Sequence, residues 1–325
     1  MIRRVLLIQP IDAAGVAVLR EAGAEVRLAS APAMPIVARE IADADAVITR
    51  NAGLDAAAMD AAPRLRVIGV HGVGVDPVDV GRATALGIPV VNTPGTNARS
   101  VAEHTLALLL ALARQLPAGD RAAREGRFDF KFHARLVELS GRTLGIVGAG
   151  TIGRLTARLA RVGLGMRVLG WSPSGNTTRL VRAGMTPVSD LDALLAASDV
   201  VSLHVPLTER TRGLIDARRL ALMRPSAFLV NTARGGVVDE IALASALAEG
   251  RLAGAGLDVF GREPLPPDHP LLRAPNVILS PHAAGSSEEA LRRTALEVAR
   301  LVLLVGAGRR PASLVNPEVW PRRRR

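Results

Sequence analysis

Thr143-Leu144-Gly145-Ile146-Val147-Gly148-Ala149-Gly150-Thr151-Ile152-Gly153 is the stretch on which the reading of this chain turns. Its first five residues carry no charge and read as a short buried strand. Three glycines in G-x-G-x-x-G spacing follow at once, and helical spacing resumes over 154–162. A lone glycine pattern is weak evidence, but a strand before it and a helix after it make it a dinucleotide-binding signal. Gly148 permits the tight turn, Gly150 lets backbone approach a pyrophosphate, and Gly153 lets helix and strand pack closely. The helix N-terminus adds orphan N–H groups and positive potential for phosphates. The alternative is a glycine-rich turn with no ligand.

The same alternation extends in both directions. Short apolar runs at 5–8, 26–28, 46–49, 67–70 and 90–91 read as strands, with helical spacing at 12–22. Further strands are expected at 166–169, 199–204, 227–231, 255–259 and 277–279, and a last helix at about 287–305. Strands that are apolar throughout and separated by helices indicate an α/β fold with parallel sheets. A long helix is expected from Ser100, with Ser100 as N-cap and Glu103 completing a capping box. Its body, 101–114, is apolar on nearly every face. Such a helix sits between domains or against another subunit, and the second reading is preferred.

Composition narrows the class. The chain has 325 residues, enough for two domains, and 49% of them are hydrophobic. It has no cysteine, so disulfides, thiolate metal sites and a cysteine nucleophile are excluded. No metal is expected. The apolar run at the N-terminus is ended by Gln9, Pro10 and Asp12, too early for a signal peptide. The apolar stretch at 105–113 is too short to cross a membrane. A cytoplasmic protein is expected. The net charge of +11, from 41 basic and 30 acidic residues, would suit a nucleic-acid binder. Against that, Lys131 is the only lysine, the arginines are dispersed, aromatic residues are 2% and there is no tyrosine. No nucleic-acid partner is expected. The terminal run Arg322 to Arg325 reads as a solvated tail.

Three residues follow expected strands and carry chemistry. Arg234, in Asn231-Thr232-Ala233-Arg234-Gly235-Gly236, can grip a carboxylate with two parallel hydrogen bonds. Glu263 lies in Asp258-Val259-Phe260-Gly261-Arg262-Glu263-Pro264, and His282 in Ser280-Pro281-His282-Ala283-Ala284-Gly285. A histidine can supply the proton that a carbonyl oxygen needs when hydride reaches its carbon, and a neighbouring carboxylate favours the imidazolium. Singly, each has a plain structural reading: an ion pair, a turn, a helix cap. Together, at strand ends of one nucleotide-binding unit, they point to the crevice where such folds bind ligands.

With these motifs in place, the chain resembles the D-isomer-specific 2-hydroxyacid dehydrogenase family, which includes phosphoglycerate dehydrogenases and hydroxypyruvate/glyoxylate reductases. The resemblance runs nearly end to end, through 72–76, 92–104, 148–153, 204–208, 231–239, 257–264 and 281–285. It implies two Rossmann-like lobes with parallel sheets. A substrate lobe of residues 1–98 and 285–325 would hold an inserted NAD(P)-binding lobe of residues 99–284, whose first helix makes a homodimer. It further implies that Arg234 orients the substrate carboxylate, that His282 is the acid–base group and that Glu263 holds it. Backbone at Val73 and Gly74 would also bind the substrate carboxylate. The cofactor would be lined by Gly148, Gly150, Thr151, Ile152, Gly153, Ser172, Val205, Pro206, Thr232, Ala233, Arg234, Asp258, His282 and Gly285, with Asp258 near the nicotinamide carboxamide.

The chain departs from the family pattern at informative places. Where an acidic residue for the ribose 2′-hydroxyl is usual, Ser172 stands, and no carboxylate follows before Asp190. A serine does not repel a 2′-phosphate, so NADP is preferred over NAD; a loop Arg179 could reach such a phosphate, though a loop arginine is usually just solvated. The arginine that phosphoglycerate dehydrogenases carry just before the 72–76 loop is missing, since Val70 and His71 stand there. No appended regulatory domain is expected after Val305. Arg50, Arg99 or His71 could still meet a phosphate or second carboxylate. Small polar acids such as glyoxylate, hydroxypyruvate or glycerate are the expected substrates, with phosphoglycerate as the alternative. Formate is disfavoured, because formate enzymes carry glutamine in place of Glu263. A second class stays open: relatives that sense nicotinamide cofactors as transcriptional corepressors.

Overall fold

The structure, a computed structural model, describes residues 1–324. The chain divides into two compact units, Met1–Asn97 with Ser286–Arg325, and Ala98–Gly285.

The first unit alternates strand and helix: β1 (Arg4–Leu7), α1 (Ala13–Glu21), β2 (Glu25–Leu28), α2 (Met34–Glu40), β3 (Ala46–Thr49), α3 (Ala56–Asp60), β4 (Val67–Val70), α4 (Val80–Ala85) and β5 (Val90–Val91). The sheet order is β2-β1-β3-β4-β5, every pairing parallel. β3 and β4 are buried along their whole length. Their alternate side chains feed opposite faces: Val47 and Ile68 pack with α2 and α3, Ile48 and Val67 with the long C-terminal helix α13 (Glu288–Gly306).

The second unit contains α5 (Ala98–Ala113), α6 (Leu116–Arg124), α7 (Phe130–His133), β6 (Thr143–Val147), α8 (Thr151–Leu164), β7 (Arg167–Trp171), α9 (Thr177–Arg182), β8 (Thr186–Pro187), α10 (Leu191–Ala197), β9 (Val200–Leu203), α11 (Ala217–Leu222), β10 (Phe228–Asn231), α12 (Glu240–Ala248), β11 (Gly254–Leu257) and β12 (Val277–Leu279). Its parallel sheet runs β12-β11-β10-β9-β6-β7-β8. The chain leaves β6 toward β7 on one side and returns to β9 on the other, so the order reverses between β6 and β9. Ligands bind doubly wound sheets in the crevice at such a reversal. Helices cover both faces: Phe228 and Val230 pack beneath α5 and α8, while Leu229 between them packs under α10–α12.

Several expectations are corrected. The helix expected from Ser100 begins at Ala98, so Ser100 lies inside its first turn instead of capping it. The nearly buried Ser100 hydroxyl needs an acceptor and finds Ala284 O at 2.6 Å. That helix is not buried on every side, for Glu103, Ala107 and Leu110 are exposed. Its buried side rests on its own sheet, where Leu108 and Leu112 fill the space left by Gly256 and Gly254. Arg179 is on helix α9, not in a loop. The arginine tail is not simply solvated. Arg323 lies over the Trp320 ring at 4.1 Å, and Arg324 donates to the Ala62, Pro63 and Leu65 carbonyls in the segment after α3. Arg325 lies outside the described residues. Helices α3, α4, α10 and α11 span five to seven residues, too few for a readable period. Each starts on an aspartate whose carboxylate accepts backbone N–H groups: Asp55, Asp79, Asp190 and Asp216.

Two measurements test this packing. A Cβ on Gly15 would sit 2.6 Å from Ala295 O, so α1 and α13 touch backbone to backbone there. Gly15→Val is expected to cost roughly 1–3 kcal/mol by overpacking, read by urea denaturation; unchanged stability would contradict the close contact. His71 is buried, and burial, with Arg50 nearby, pushes its pKa down to about 4 from an ordinary value of 6.5. The unfolded chain therefore binds the proton first as pH falls through 6.5, and stability is lost between there and 4. Between pH 7.5 and 5.5 this one group should cost about 1 kcal/mol. His71→Gln should make that pH slope shallower by the same amount, and an unchanged slope would show that His71 is not the group responsible.

Candidate active site

The functional residues expected in the second unit all lie just past the carboxyl ends of parallel strands. Gly148–Gly153 follow β6, Ser172 follows β7, Val205 and Pro206 follow β9, Thr232–Arg234 follow β10, Asp258 and Glu263 follow β11, and His282 and Gly285 follow β12. Parallel pairing makes this possible, since every strand ends on the same edge of the sheet.

The glycine loop is built as the spacing implies. Gly148 adopts φ +113°, where an L side chain is strained, and its Cβ would lie 2.5 Å from His204 O. A Cβ on Gly153 would lie 2.1 Å from Gly148 O, so the first turn of α8 presses on the loop. Gly150, by contrast, faces open space and is the N-cap of α8, with no side chain bonded to the helix end. A Cβ there would intrude on the approach to those N–H groups, which is where a pyrophosphate would be held. The residues present thus fit a dinucleotide. Ser172 is half-buried one residue past β7, with its hydroxyl 3.1 Å from that of Ser174. The Val205 side chain is buried in the core against Gly148, so only its backbone is placed to line a cofactor.

The charged trio converges. His282 Nδ1 is 2.7 Å from Glu263 Oε2, while Glu263 Oε1 accepts the Phe260 N–H at 3.0 Å. Burial pushes the Glu263 carboxyl up. The His282 hydrogen bond, the Phe260 N–H and the charges of His282 and Arg234 outweigh it, and the carboxyl titrates below the ordinary glutamate range. Glu263 is therefore an acceptor at neutral pH, which fixes the Nδ1–H tautomer of His282 and leaves Nε2 for a reacting group. Arg234 starts a short turn, with Asn231 bridging it: Asn231 Nδ2 donates to Arg234 O and Asn231 Oδ1 accepts the Ala233 N–H. A Cβ on Gly235 would lie 1.9 Å from the Phe260 carbonyl carbon. Only glycine permits this approach, and it sets the Arg234 turn against the loop that carries Glu263.

Asp258 departs from its expected place. Strand β11 ends at Leu257, so Asp258 opens the following loop instead of sitting within the strand. Its carboxylate is turned toward the His282 loop. It accepts from Ser280 Oγ at 2.6 Å and from the Ala283 and Ala284 N–H groups at 2.8 and 2.9 Å. Sequence patterning gave no sign of this brace, because its partners are mostly backbone.

In the first unit, Val73 and Gly74 follow β4 at its carboxyl end, with Val73 41% exposed. His71 and Arg50 follow β4 and β3, and Arg50 Nη1 donates to Pro10 O. With its pKa near 4, His71 is neutral at pH 7 and brings no charge to a phosphate. Arg99, in the second unit, is paired with Glu103. No group of three or more His, Asp or Glu side chains suited to a metal occurs among the described residues, and no described helix is long and apolar enough to cross a membrane.

Comparison with known proteins agrees with this geometry. Residues 106–284 match the model of the D-isomer specific 2-hydroxyacid dehydrogenase, NAD binding domain. The chain is 44% identical over 292 residues to a glyoxylate reductase of Korarchaeum cryptofilum, covering 89% of this chain and 87% of that protein. It is 39% identical over 320 residues to a D-3-phosphoglycerate dehydrogenase of Archaeoglobus fulgidus, covering 98% of this chain but 60% of that longer enzyme. Among solved structures it resembles an NADPH-dependent glyoxylate/hydroxypyruvate reductase of Sinorhizobium meliloti, in complex with NADP and malonate, at a TM-score of 0.85 and 32% identity over 100% of this chain and 99% of that one. The strand-end site, the glycine loop and these matches together make the chain a member of the D-isomer-specific 2-hydroxyacid dehydrogenase family, oxidoreductases that use a nicotinamide cofactor.

Proposed function

We propose that the chain moves a hydride between NAD(P)(H) and a small D-2-hydroxy or 2-oxo acid of the glyoxylate, hydroxypyruvate or glycerate type, with His282 as the acid–base group. The observation that carries this is the 2.7 Å contact of His282 Nδ1 with Glu263, beside the Arg234 turn, at the ends of adjacent strands. The cofactor, held at the α8 N-terminus, supplies or accepts the hydride. Arg234 holds the substrate carboxylate with its planar fork and polarises the carbonyl. His282, doubly protonated before reduction, gives its Nε2 proton to the carbonyl oxygen as the hydride arrives, and takes it back in oxidation. Glu263 keeps the imidazole oriented throughout by accepting its Nδ1–H.

Peptide N–H groups of Val73 and Gly74 are assigned to the substrate carboxylate as part of the same proposal. Self-association through α5 is likewise proposed, using its exposed Ala107 and Leu110. An unphosphorylated substrate is favoured over phosphoglycerate because Val70 offers no charge and His71 is neutral. NADP is favoured over NAD because Ser172 puts no carboxylate at the end of β7.

A panel of glyoxylate, hydroxypyruvate, its phosphorylated analogue and formate, read by NADH and NADPH absorbance, tests the substrate and cofactor together. His282→Asn should lower kcat at least ~100-fold with cofactor affinity largely retained, and Arg234→Ala should raise KM and lower kcat. Full turnover by His282→Asn would remove the acid–base assignment. Ser172→Asp should move the NADH/NADPH preference toward NADH by about tenfold, ~1.4 kcal/mol of discrimination. An unmoved ratio would show that Ser172 does not face the ribose.

A further inference from the structure

Two polar side chains, His104 and Ser280, lie beside the site without a place in the hydride transfer described above. His104 is on α5, one turn after Ser100 and on the same face. Ser100 Oγ donates to Ala284 O at 2.6 Å, and His104 Nε2 is 2.9 Å from Ser280 Oγ. The pair therefore grips the two ends of the Ser280–Ala284 loop, and His282 is at its centre.

The hydrogen positions follow from the partners. Ser280 has one hydroxyl hydrogen and gives it to Asp258 Oδ1 at 2.6 Å. Its oxygen must then accept from His104, so Nε2 of His104 carries a proton. The same nitrogen is 3.6 Å from Asp258 Oδ1. The chain of donors ends on an aspartate that is 1% exposed and that also holds the Ala283 and Ala284 N–H groups. His282, meanwhile, sits at φ +52°, left-handed for a residue with a side chain, and its N–H donates to Asp258 O at 2.8 Å. That conformation is strained for a residue with a Cβ and must be held by its surroundings.

We propose that His104 is a positioning residue for the reaction: through Ser280 and Asp258 it holds the loop in the left-handed form that aims His282 at Glu263 and at the substrate. This rests on His282 being the acid–base group. His104 touches neither substrate nor cofactor in this assignment, so its loss should spare binding and slow the chemical step.

The test compares His104→Leu, His104→Gln and Ser280→Ala in the full chain, with His282→Asn as reference. For His104→Leu, kcat per folded enzyme should fall about tenfold or more, while substrate KM and cofactor Kd stay within about twofold. His104→Gln can still donate to Ser280 Oγ, and it should recover most of the rate. Ser280→Ala should match His104→Leu, and the double variant should be no worse than either, because both cut one chain of bonds. A merely structural histidine would lower the melting temperature and leave kcat of the folded enzyme alone. The inference is overturned if His104→Leu keeps kcat within twofold, or if glutamine does no better than leucine. If His282→Asn itself keeps its turnover, the acid–base reading fails, and that outcome is distinct from the failure of His104 alone.

Discussion

A buried carboxylate organises the candidate site. Asp258 is 1% exposed and accepts three hydrogen bonds, two of them from the backbone of the loop that carries His282. Hydrogen bonds to a charged group contribute roughly 1.5–3 kcal/mol each. The left-handed backbone at His282 costs about 1–2 kcal/mol, and these bonds oppose that strain. The brace holds the backbone from which the imidazole reaches Glu263 at 2.7 Å.

The rest of the site is arranged by close approach of backbones. Gly235 lets the turn after β10 touch the loop after β11, and Gly153 lets α8 press on the glycine loop. Glu240, near the start of α12, accepts the Gly261 N–H at 2.7 Å with His269 3.4 Å from its other oxygen, which steadies the loop leading to Glu263. Helix α5 contributes from below the strand ends. Its Thr105 hydroxyl meets that of Thr232 at 2.9 Å, so this one helix touches the loops after both β10 and β12. The groups proposed to do chemistry are few, and most of the hydrogen bonds around them serve to hold them still.

Much of this was readable from the chain. Strands such as Ala46–Thr49 and Val67–Val70 are buried on both faces, so their composition alone marks them. The glycine loop was readable because each of its glycines answers a local backbone demand. Arg234, Glu263 and His282 were readable because each follows a recognisable strand. The five- to seven-residue helices were not, since fewer than two turns show no period, and α5 starts two residues before Ser100, which imitates a cap in sequence but donates to Ala284 O.

Local sequence determined the alternation of strand and helix, the glycine turn before α8 and the residue types available at the strand ends. Those follow from side-chain periodicity and from backbone conformations that only certain residues tolerate. Only the tertiary structure decided that Asp258 faces the His282 loop, that His104 reaches Ser280 across 176 residues of chain, and that His71 is buried enough to be neutral. These depend on which strands lie side by side and on where water is excluded, and neither is written in the local pattern of any one segment.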